Sequence, residues 1–206
     1  MIQNIVFDMG QVLIRWNKET LLSNMSLSKA DGDLLWRETV CGSEWVKYDR
    51  GTITGQGVFD SVSKRLPRRL HQNAAALIFD WWEWPICPMP GMEELIRELK
   101  EKGYGIYLLS NANIELREHF HKLPAADCFD GIFVSSEHKL LKPQHEIYEK
   151  FLSSFSLEAG ECFFIDDGPA NIEGAEETGI PGTVFREDIP RLRRELREAG
   201  INCSEK

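Results

Sequence analysis

Met1-Ile2-Gln3-Asn4-Ile5-Val6-Phe7-Asp8-Met9-Gly10-Gln11-Val12-Leu13-Ile14-Arg15-Trp16 opens the chain, and the rest is read outward from it. Ile2, Ile5, Val6 and Phe7 form a short apolar run that ends at Asp8, with Gly10 two residues on. A run of this length bounded by glycine reads as a strand buried inside a parallel sheet. A carboxylate at the C-terminal end of such a strand stands where open α/β sheets bind ligands. A lone Asp there can equally be a cap that turns the chain out of the strand.

The second half of the chain resolves that choice. Met92, Leu95, Ile96 and Leu99 repeat at i, i+3, i+4, i+7, with acids early, Lys100 and Lys102 late and Gly103 as the stop. Gly105-Ile106-Tyr107-Leu108-Leu109 then reads as a strand ending in Ser110-Asn111, and a helix is expected around Ile114 to Phe120. Gly131-Ile132-Phe133-Val134 is a third strand, ending in Ser135-Ser136. Lys142-Pro143 is expected to open a helix with Ile147, Tyr148, Phe151 and Leu152 on one face. Cys162-Phe163-Phe164-Ile165 ends in Asp166-Asp167-Gly168, and a helix follows through Asn171. Thr183-Val184-Phe185 and a helix carrying Ile189, Leu192 and Leu196 close the chain. Strands alternating with helices predict an α/β fold with a doubly wound parallel sheet, all strand C-termini at one edge.

Between the first strand and Pro85 the pattern is helical only. Leu21, Leu22 and Met25, then Leu34, Leu35 and Trp36, then Val58, Phe59, Val62 and Leu66 suggest successive helices. Asp49-Arg50-Gly51-Thr52-Ile53-Thr54-Gly55 reads as a loop between them. The expected division is an α/β core over 1–15 and 88–206, with a helical insertion over 16–87. Five of the six tryptophans, Trp36, Trp45, Trp81, Trp82 and Trp84, fall in the helical run from about Lys18 to Trp84 and are expected mostly to fill its core.

Composition narrows the partners. A net charge of −9 with interspersed signs disfavours nucleic acid and anionic membranes, which select basic faces. No apolar run is long enough for a membrane span, and the first residues lack the shape of a signal peptide. The five cysteines are widely spaced without a C-x-x-C pair, so reduced thiols and a cytoplasmic location are expected. Nothing in the sequence sets the oligomeric state.

The predicted sheet edge gathers Asp8, Ser110, Asn111, Lys142, Asp166 and Asp167. Paired carboxylates with a third from another loop make an oxygen-donor site for Mg²⁺, which takes a substrate phosphate as a further ligand. Ser110 and Lys142 suit the remaining phosphate oxygens, and Lys142 also moderates repulsion among the carboxylates. A carboxylate facing such a phosphate can attack phosphorus and form an aspartyl phosphate.

With these residues in place, the chain resembles the haloacid dehalogenase-like (HAD) hydrolases. The resemblance rests on Phe7-Asp8-Met9-Gly10, Leu108-Leu109-Ser110-Asn111, Lys142-Pro143, and Phe164-Ile165-Asp166-Asp167 with Asn171. The insertion looks like the small helical cap of type 1 members, and the motif combination most resembles the sugar-1-phosphate phosphatase-like branch. The resemblance implies a Rossmann-like core and a Mg²⁺-dependent phosphomonoester hydrolase acting on a small phosphorylated metabolite. It also implies that Asp8 is nucleophile and metal ligand, and that the Gly10 carbonyl and Asp167 are further ligands. Asp166 would bind the metal directly or through water, Asn171 would orient the acidic pair, and Ser110, Asn111 and Lys142 would bind the substrate.

One position departs from the family pattern. Phosphatases of this kind usually carry a second Asp two residues after the nucleophile, to protonate the leaving oxygen and later deprotonate water. Here that position is Gly10. A positioned acid or base is worth ~10² to 10⁴ in rate, so its loss favours leaving groups that need no proton, such as the anomeric oxygen of a sugar 1-phosphate. Gly10 also supports an alternative, a catalytically weakened protein that binds a phosphorylated ligand or a partner. A metal-independent dehalogenase is a further alternative, opposed by the mutual repulsion of Asp166 and Asp167 without a cation.

Overall fold

The computed structural model describes residues 1–205. At its centre lies β1, Asn4–Phe7, with Ile5, Val6 and Phe7 sealed from solvent. A strand apolar on both faces needs a layer on each side, and the parallel sheet supplies that setting. The other strands are β2 (Gly105–Ser110), β3 (Gly131–Val134), β4 (Cys162–Asp166) and β5 (Gly182–Val184). They lie in the order β3-β2-β1-β4-β5, and every pairing is parallel.

The chain therefore winds outward from β1 to β3, then returns to the other side of β1 for β4 and β5. That reversal opens a crevice beyond the strand C-termini, the place where such sheets bind ligands. Register fixes what lines it. Phe7 stands opposite Leu108 of β2 and Ile165 of β4. Asp8, Ser110 and Asp166 thus reach one edge together, and the Asp8 N–H donates to the Ile165 carbonyl at 2.9 Å.

Every element between β1 and β2 is helical as far as Glu83. These are α1 (Lys18–Leu22), α2 (Lys29–Glu38), α3 (Ser43–Asp49), α4 (Gly55–Val62) and α5 (His71–Ala75). The last continues through a π turn, Ala76–Asp80, and a 3-10 turn, Trp81–Glu83. Asn17, Ser28 and Thr54 accept backbone N–H groups at the starts of α1, α2 and α4, caps worth about 1 kcal/mol each. Leu35, Val58, Val62, Leu70 and Leu77 are fully buried and share one apolar cluster with Ile5 and Phe7 of the sheet. The helical segment therefore packs onto the core.

The return half carries α6 (Met92–Glu101), α7 (Glu115–His119), α8 (Ser135–His138), α9 (His145–Phe155), α10 (Pro169–Glu177) and α11 (Ile189–Glu198). The expected stripe on α6 is buried at all four positions. On the opposite face of the sheet, Val6, Leu109, Phe133 and Phe164 pack against Ile147, Tyr148 and Phe151 of α9 and Ile172 of α10. Each such side chain contributes roughly 1.5–3 kcal/mol by leaving water.

Two expectations shift. The helix anticipated from Lys142-Pro143 begins at His145, because Lys142 turns inward and its side chain is 1% exposed. Ser135 and Ser136, expected to end the third strand, are instead the first turn of α8, and both are buried. All five cysteines are free. Among the described residues, no helix is long and apolar enough to cross a membrane.

Candidate active site

A cavity of about 210 Å³ opens at the crevice. The loop after β1 contributes Asp8, Met9, Gly10, Gln11 and Trp16; the loop after β2 contributes Ser110, Asn111, Ala112 and Asn113; β4 is followed by Asp167. The helical segment supplies the facing wall through Trp45, Asp49, Trp81 and Trp82.

Beneath the cavity sits Lys142. Its ammonium lies 2.8 Å from Asp8 Oδ1 and 2.6 Å from Asp166 Oδ2, and it donates to the Leu109 carbonyl at 2.9 Å. An ammonium has three protons, so these partners use all of them. Lys142 is thus placed to moderate carboxylate repulsion, and it is absent from the cavity lining. Asn111 holds its loop: Asn111 Nδ2 donates to the Lys142 carbonyl at 3.0 Å and Oδ1 accepts the Lys142 N–H at 2.8 Å. The Asn111 amide therefore fastens the loop after β2 to the segment between α8 and α9.

The two adjacent carboxylates occupy unlike environments. Asp166 is fully buried; besides Lys142 it accepts the Gly168 N–H at 2.7 Å and Asn171 Nδ2 at 2.9 Å. A Cβ at Gly168 would meet Asn171 Nδ2 at 2.9 Å and Asp166 Oδ1 at 3.1 Å, so a side chain there would displace the Asn171 amide from this close cradle. Asp167 is half-buried and faces the cavity. Burial, reinforced by the charge of Asp166, pushes its carboxyl above the usual range. Asp8 is pushed up to about 7, chiefly by burial, with Lys142 opposing and Asp166 and Asp167 adding.

Ligand atoms of Asp8, Asp166 and Asp167 lie within 4.8 Å of one another. One ammonium faces three carboxylates here, and all donors are hard oxygens. Such a set fits a Mg²⁺-sized cation and would favour one electrostatically. Gly10, whose carbonyl was expected to assist, lines the same cavity.

Some lining residues were not anticipated from the sequence. Trp45, Trp81 and Trp82 are buried as expected, but with Trp16 they form the cavity wall. Trp81 and Trp82 stack with centroids 3.9 Å apart, and Trp16 lies 5.7 Å from Trp45 and 5.9 Å from Trp81. Gln11 adopts a left-handed backbone, φ 56°, and its buried Oε1 has no partner among the described residues. From the sequence, Asp49 opens a loop, Asp49-Arg50-Gly51-Thr52-Ile53, that looks like the cap segment of the sugar-1-phosphate phosphatase-like branch, with no role of its own. It ends α3 and faces the cavity, and the one available signal was the acid just before Arg50-Gly51.

The pattern of helical segment and sheet-edge acids has counterparts among known proteins. A sesquiterpene phosphatase, astK of Aspergillus oryzae, is 30% identical over 202 residues, covering 96% of each chain. The D-ribitol-5-phosphate phosphatase of Bacteroides thetaiotaomicron is 24% identical over 95% of this chain and 97% of its own. A HAD-family enzyme from the same bacterium, solved with magnesium and inorganic phosphate, superposes with a TM-score of 0.69 at 23% identity, covering 93% of this chain and 99% of that one. The haloacid dehalogenase-like hydrolase family itself matches residues 2–179. With its sheet, its motifs and that match in agreement, the chain belongs to the haloacid dehalogenase-like hydrolase family.

Proposed function

We propose that this protein is a Mg²⁺-dependent phosphatase that hydrolyses a small phosphorylated metabolite through an aspartyl phosphate on Asp8. The observation that carries this reading is the buried arrangement of Asp8, Asp166 and Lys142 directly beneath a cavity lined by Ser110 and Asp167. The phosphatase names of two relatives matching nearly the whole chain support it, as does the magnesium held by the similar enzyme. The helical stretch 16–87 then serves as a cap over the core formed by 1–15 and 88–206.

In this reading Asp8, the Gly10 carbonyl and Asp167 would hold a Mg²⁺ ion, and Asp166 would bind it directly or through water. The cation, when bound, offsets the charge of the substrate phosphate. Lys142 keeps Asp8 oriented, and its charge opposes protonation of the nucleophile. Asn171 fixes the Asp166 carboxylate, and Asn111 fixes the Lys142 loop. The Ser110 hydroxyl, together with backbone N–H groups of the same loop, would receive oxygens of the substrate phosphate.

For the substrate body, the tryptophan wall favours an apolar or aromatic alcohol esterified to phosphate. Indole faces exchange water for apolar contact, and four of them meet beside the reacting end of the cavity. The relation to a sesquiterpene phosphatase points the same way. A second reading, a sugar 1-phosphate, is favoured by Gly10, which leaves the loop after β1 without a side-chain acid for the leaving oxygen. The test compares kcat/KM for farnesyl phosphate, a hexose 1-phosphate and a hexose 6-phosphate, each with Mg²⁺ and with EDTA. Activity unaffected by EDTA sinks the metal reading, and preference for either hexose phosphate over farnesyl phosphate sinks the apolar one.

A further inference from the structure

The position that normally carries the acid–base Asp is Gly10, and an acid from the opposite wall faces the same space. We propose that Asp49, at the end of α3, is the catalytic acid–base of this hydrolase. The proposal rests on the phosphatase reading above.

Three observations support it. First, Asp49 lines the cavity with Asp8, Gly10 and Ser110, and it forms no salt bridge among the described residues. Second, it is held in place from several sides. Its backbone carbonyl accepts the Ser135 hydroxyl at 2.5 Å, and Ser135 Oγ in turn accepts the Ala112 N–H at 2.9 Å. The neighbouring Tyr48 hydroxyl donates to Glu115 Oε1 at 2.7 Å, and Lys139 Nζ donates to the Gly51 carbonyl. These bonds tie the end of α3 to α7, to both ends of α8 and, through Ser135, to the loop after β2, so the carboxyl sits on an anchored support. Third, its protonation suits the task. Burial pushes the Asp49 carboxyl well above its ordinary value; a hydrogen bond from Trp45 opposes this, and the charge of Asp8 adds to it. Trp45 precedes Asp49 by four residues on the same helix face, which lets its indole steady the carboxyl.

The chemistry balances with one shuttled proton. An Asp8 carboxylate oxygen attacks phosphorus, and the bond from phosphorus to the ester oxygen breaks with its electron pair on that oxygen. Asp49, protonated, gives its proton to the same oxygen, releasing the alcohol and leaving Asp49 as a carboxylate. Water then attacks the aspartyl phosphate while Asp49 takes one of its protons. The bond between Asp8 and phosphorus breaks, freeing hydrogen phosphate and restoring both carboxyls to their starting states.

The experiment uses Asp49→Asn in the full chain with Mg²⁺, on p-nitrophenyl phosphate and on n-hexyl phosphate, in rapid mixing and at steady state. Nitrophenolate leaves without a proton, so a burst of about one nitrophenol per chain is expected, near the wild-type rate. Turnover afterwards slows by about 10² to 10⁴ because water has lost its base. Hexyl phosphate is expected to give neither burst nor appreciable turnover. Gly10→Asp in the Asp49→Asn background is expected to recover hexyl phosphate turnover at least tenfold, since a Cβ at Gly10 meets nothing closer than Trp16 Cβ at 3.8 Å. Hexyl phosphate turnover in Asp49→Asn within threefold of wild type overturns the proposal. An equal loss of the first step on both substrates also overturns it, since that is what misplacement of the helical segment would produce. Asp8→Asn run beside it tests the underlying reading: retained turnover there rejects Asp8 as nucleophile, whatever Asp49 does.

Discussion

Lys142 Nζ lies 2.8 Å from Asp8 Oδ1 in a setting where the lysine side chain is 1% exposed and the aspartate 12%. The C-terminal ends of β1, β2 and β4 converge on that ammonium, because Asp166 and the Leu109 carbonyl take its other protons. The site is thus a charge cluster built into the sheet edge, with substrate chemistry on its outer side and structural bonding on its inner side.

Removing the ammonium should therefore damage stability as well as activity. Lys142→Met keeps the volume but leaves Asp8 and Asp166 without their shared counter-charge. Breaking a buried pair in this way costs about 3–5 kcal/mol. Urea unfolding at neutral pH should show a loss of that order, partly recovered by Mg²⁺. A variant as stable as wild type in EDTA would show that the cluster does not need the lysine.

The two adjacent carboxylates should separate by experiment. Asp166 receives hydrogen bonds from Lys142, Gly168 and Asn171, whereas Asp167 faces the cavity. Asp166→Ala removes the acceptor of one buried and two partly buried donors and should destabilise the fold by several kcal/mol, at about 1–3 kcal/mol per buried unsatisfied group. Asp167→Ala should leave stability within about 1 kcal/mol of wild type, a typical surface effect, while weakening Mg²⁺ binding at least tenfold. Calorimetric titration with Mg²⁺ and urea unfolding of both variants check the division. Unchanged Mg²⁺ affinity in Asp167→Ala would remove it from the ligand set.

Much of this arrangement was legible in the sequence, because strand ends in a doubly wound sheet share one edge by topology. The short apolar runs ending in Asp8, Ser110 and Asp166 locate the crevice without any three-dimensional information. The role of Asn111 was not legible, since a side chain that bonds another loop's backbone leaves no spacing signature. Lys142 was found, but its depth was not: a lysine after a strand reads alike whether it points up to substrate or down into the cluster. The start of α9 was misplaced for the same reason, as Pro143 resembles a helix opening while Lys142 is drawn inward. Trp45, Trp81, Trp82 and Asp49 sit in a segment whose helices are visible but whose docking is not. That docking depends on single contacts such as the hydroxyl of Ser135 on the Asp49 carbonyl.

The raised Asp8 carboxyl gives a pH signature. In the metal-free protein its value moves from the ordinary 3.8 to about 7. The folded state therefore binds more protons than the unfolded state between those values, and stability falls as pH rises through that window. The raised Asp49 and Asp167 carboxyls act with the same sign. Urea unfolding in EDTA should show Asp8→Asn gaining on wild type from pH 5 to pH 7.5. Mg²⁺ selects the ionised carboxylate, so its stabilising effect should be larger at pH 7.5 than at pH 5. A difference between wild type and Asp8→Asn that did not vary with pH would contradict the shift.

The last prediction concerns Gly51, which fastens the helical segment to the core. Its backbone is left-handed, φ +71°, and a Cβ there would lie 2.3 Å from the Ser136 carbonyl oxygen and 2.8 Å from Lys139 Nζ. Lys139 can swing aside, but the Ser136 backbone cannot, because Ser136 N–H bonds the Ala112 carbonyl at 3.3 Å within the strand-end network. Gly51→Ala should therefore lift the end of α3 and draw Asp49 away from the cavity. The sheet core, with its own apolar clusters, should stay folded. The expected result is a fall in phosphatase activity of at least tenfold, with far-ultraviolet circular dichroism close to wild type and increased proteolysis between Asp49 and Gly55. Gly103→Ala serves as the control: it has the same kind of backbone, φ +90°, but nothing within 4 Å of the added Cβ. It should carry the strain of its left-handed position without the loss of activity. Equal activity losses in the two variants would mean that general backbone strain, and not the contact with Ser136, sets the effect.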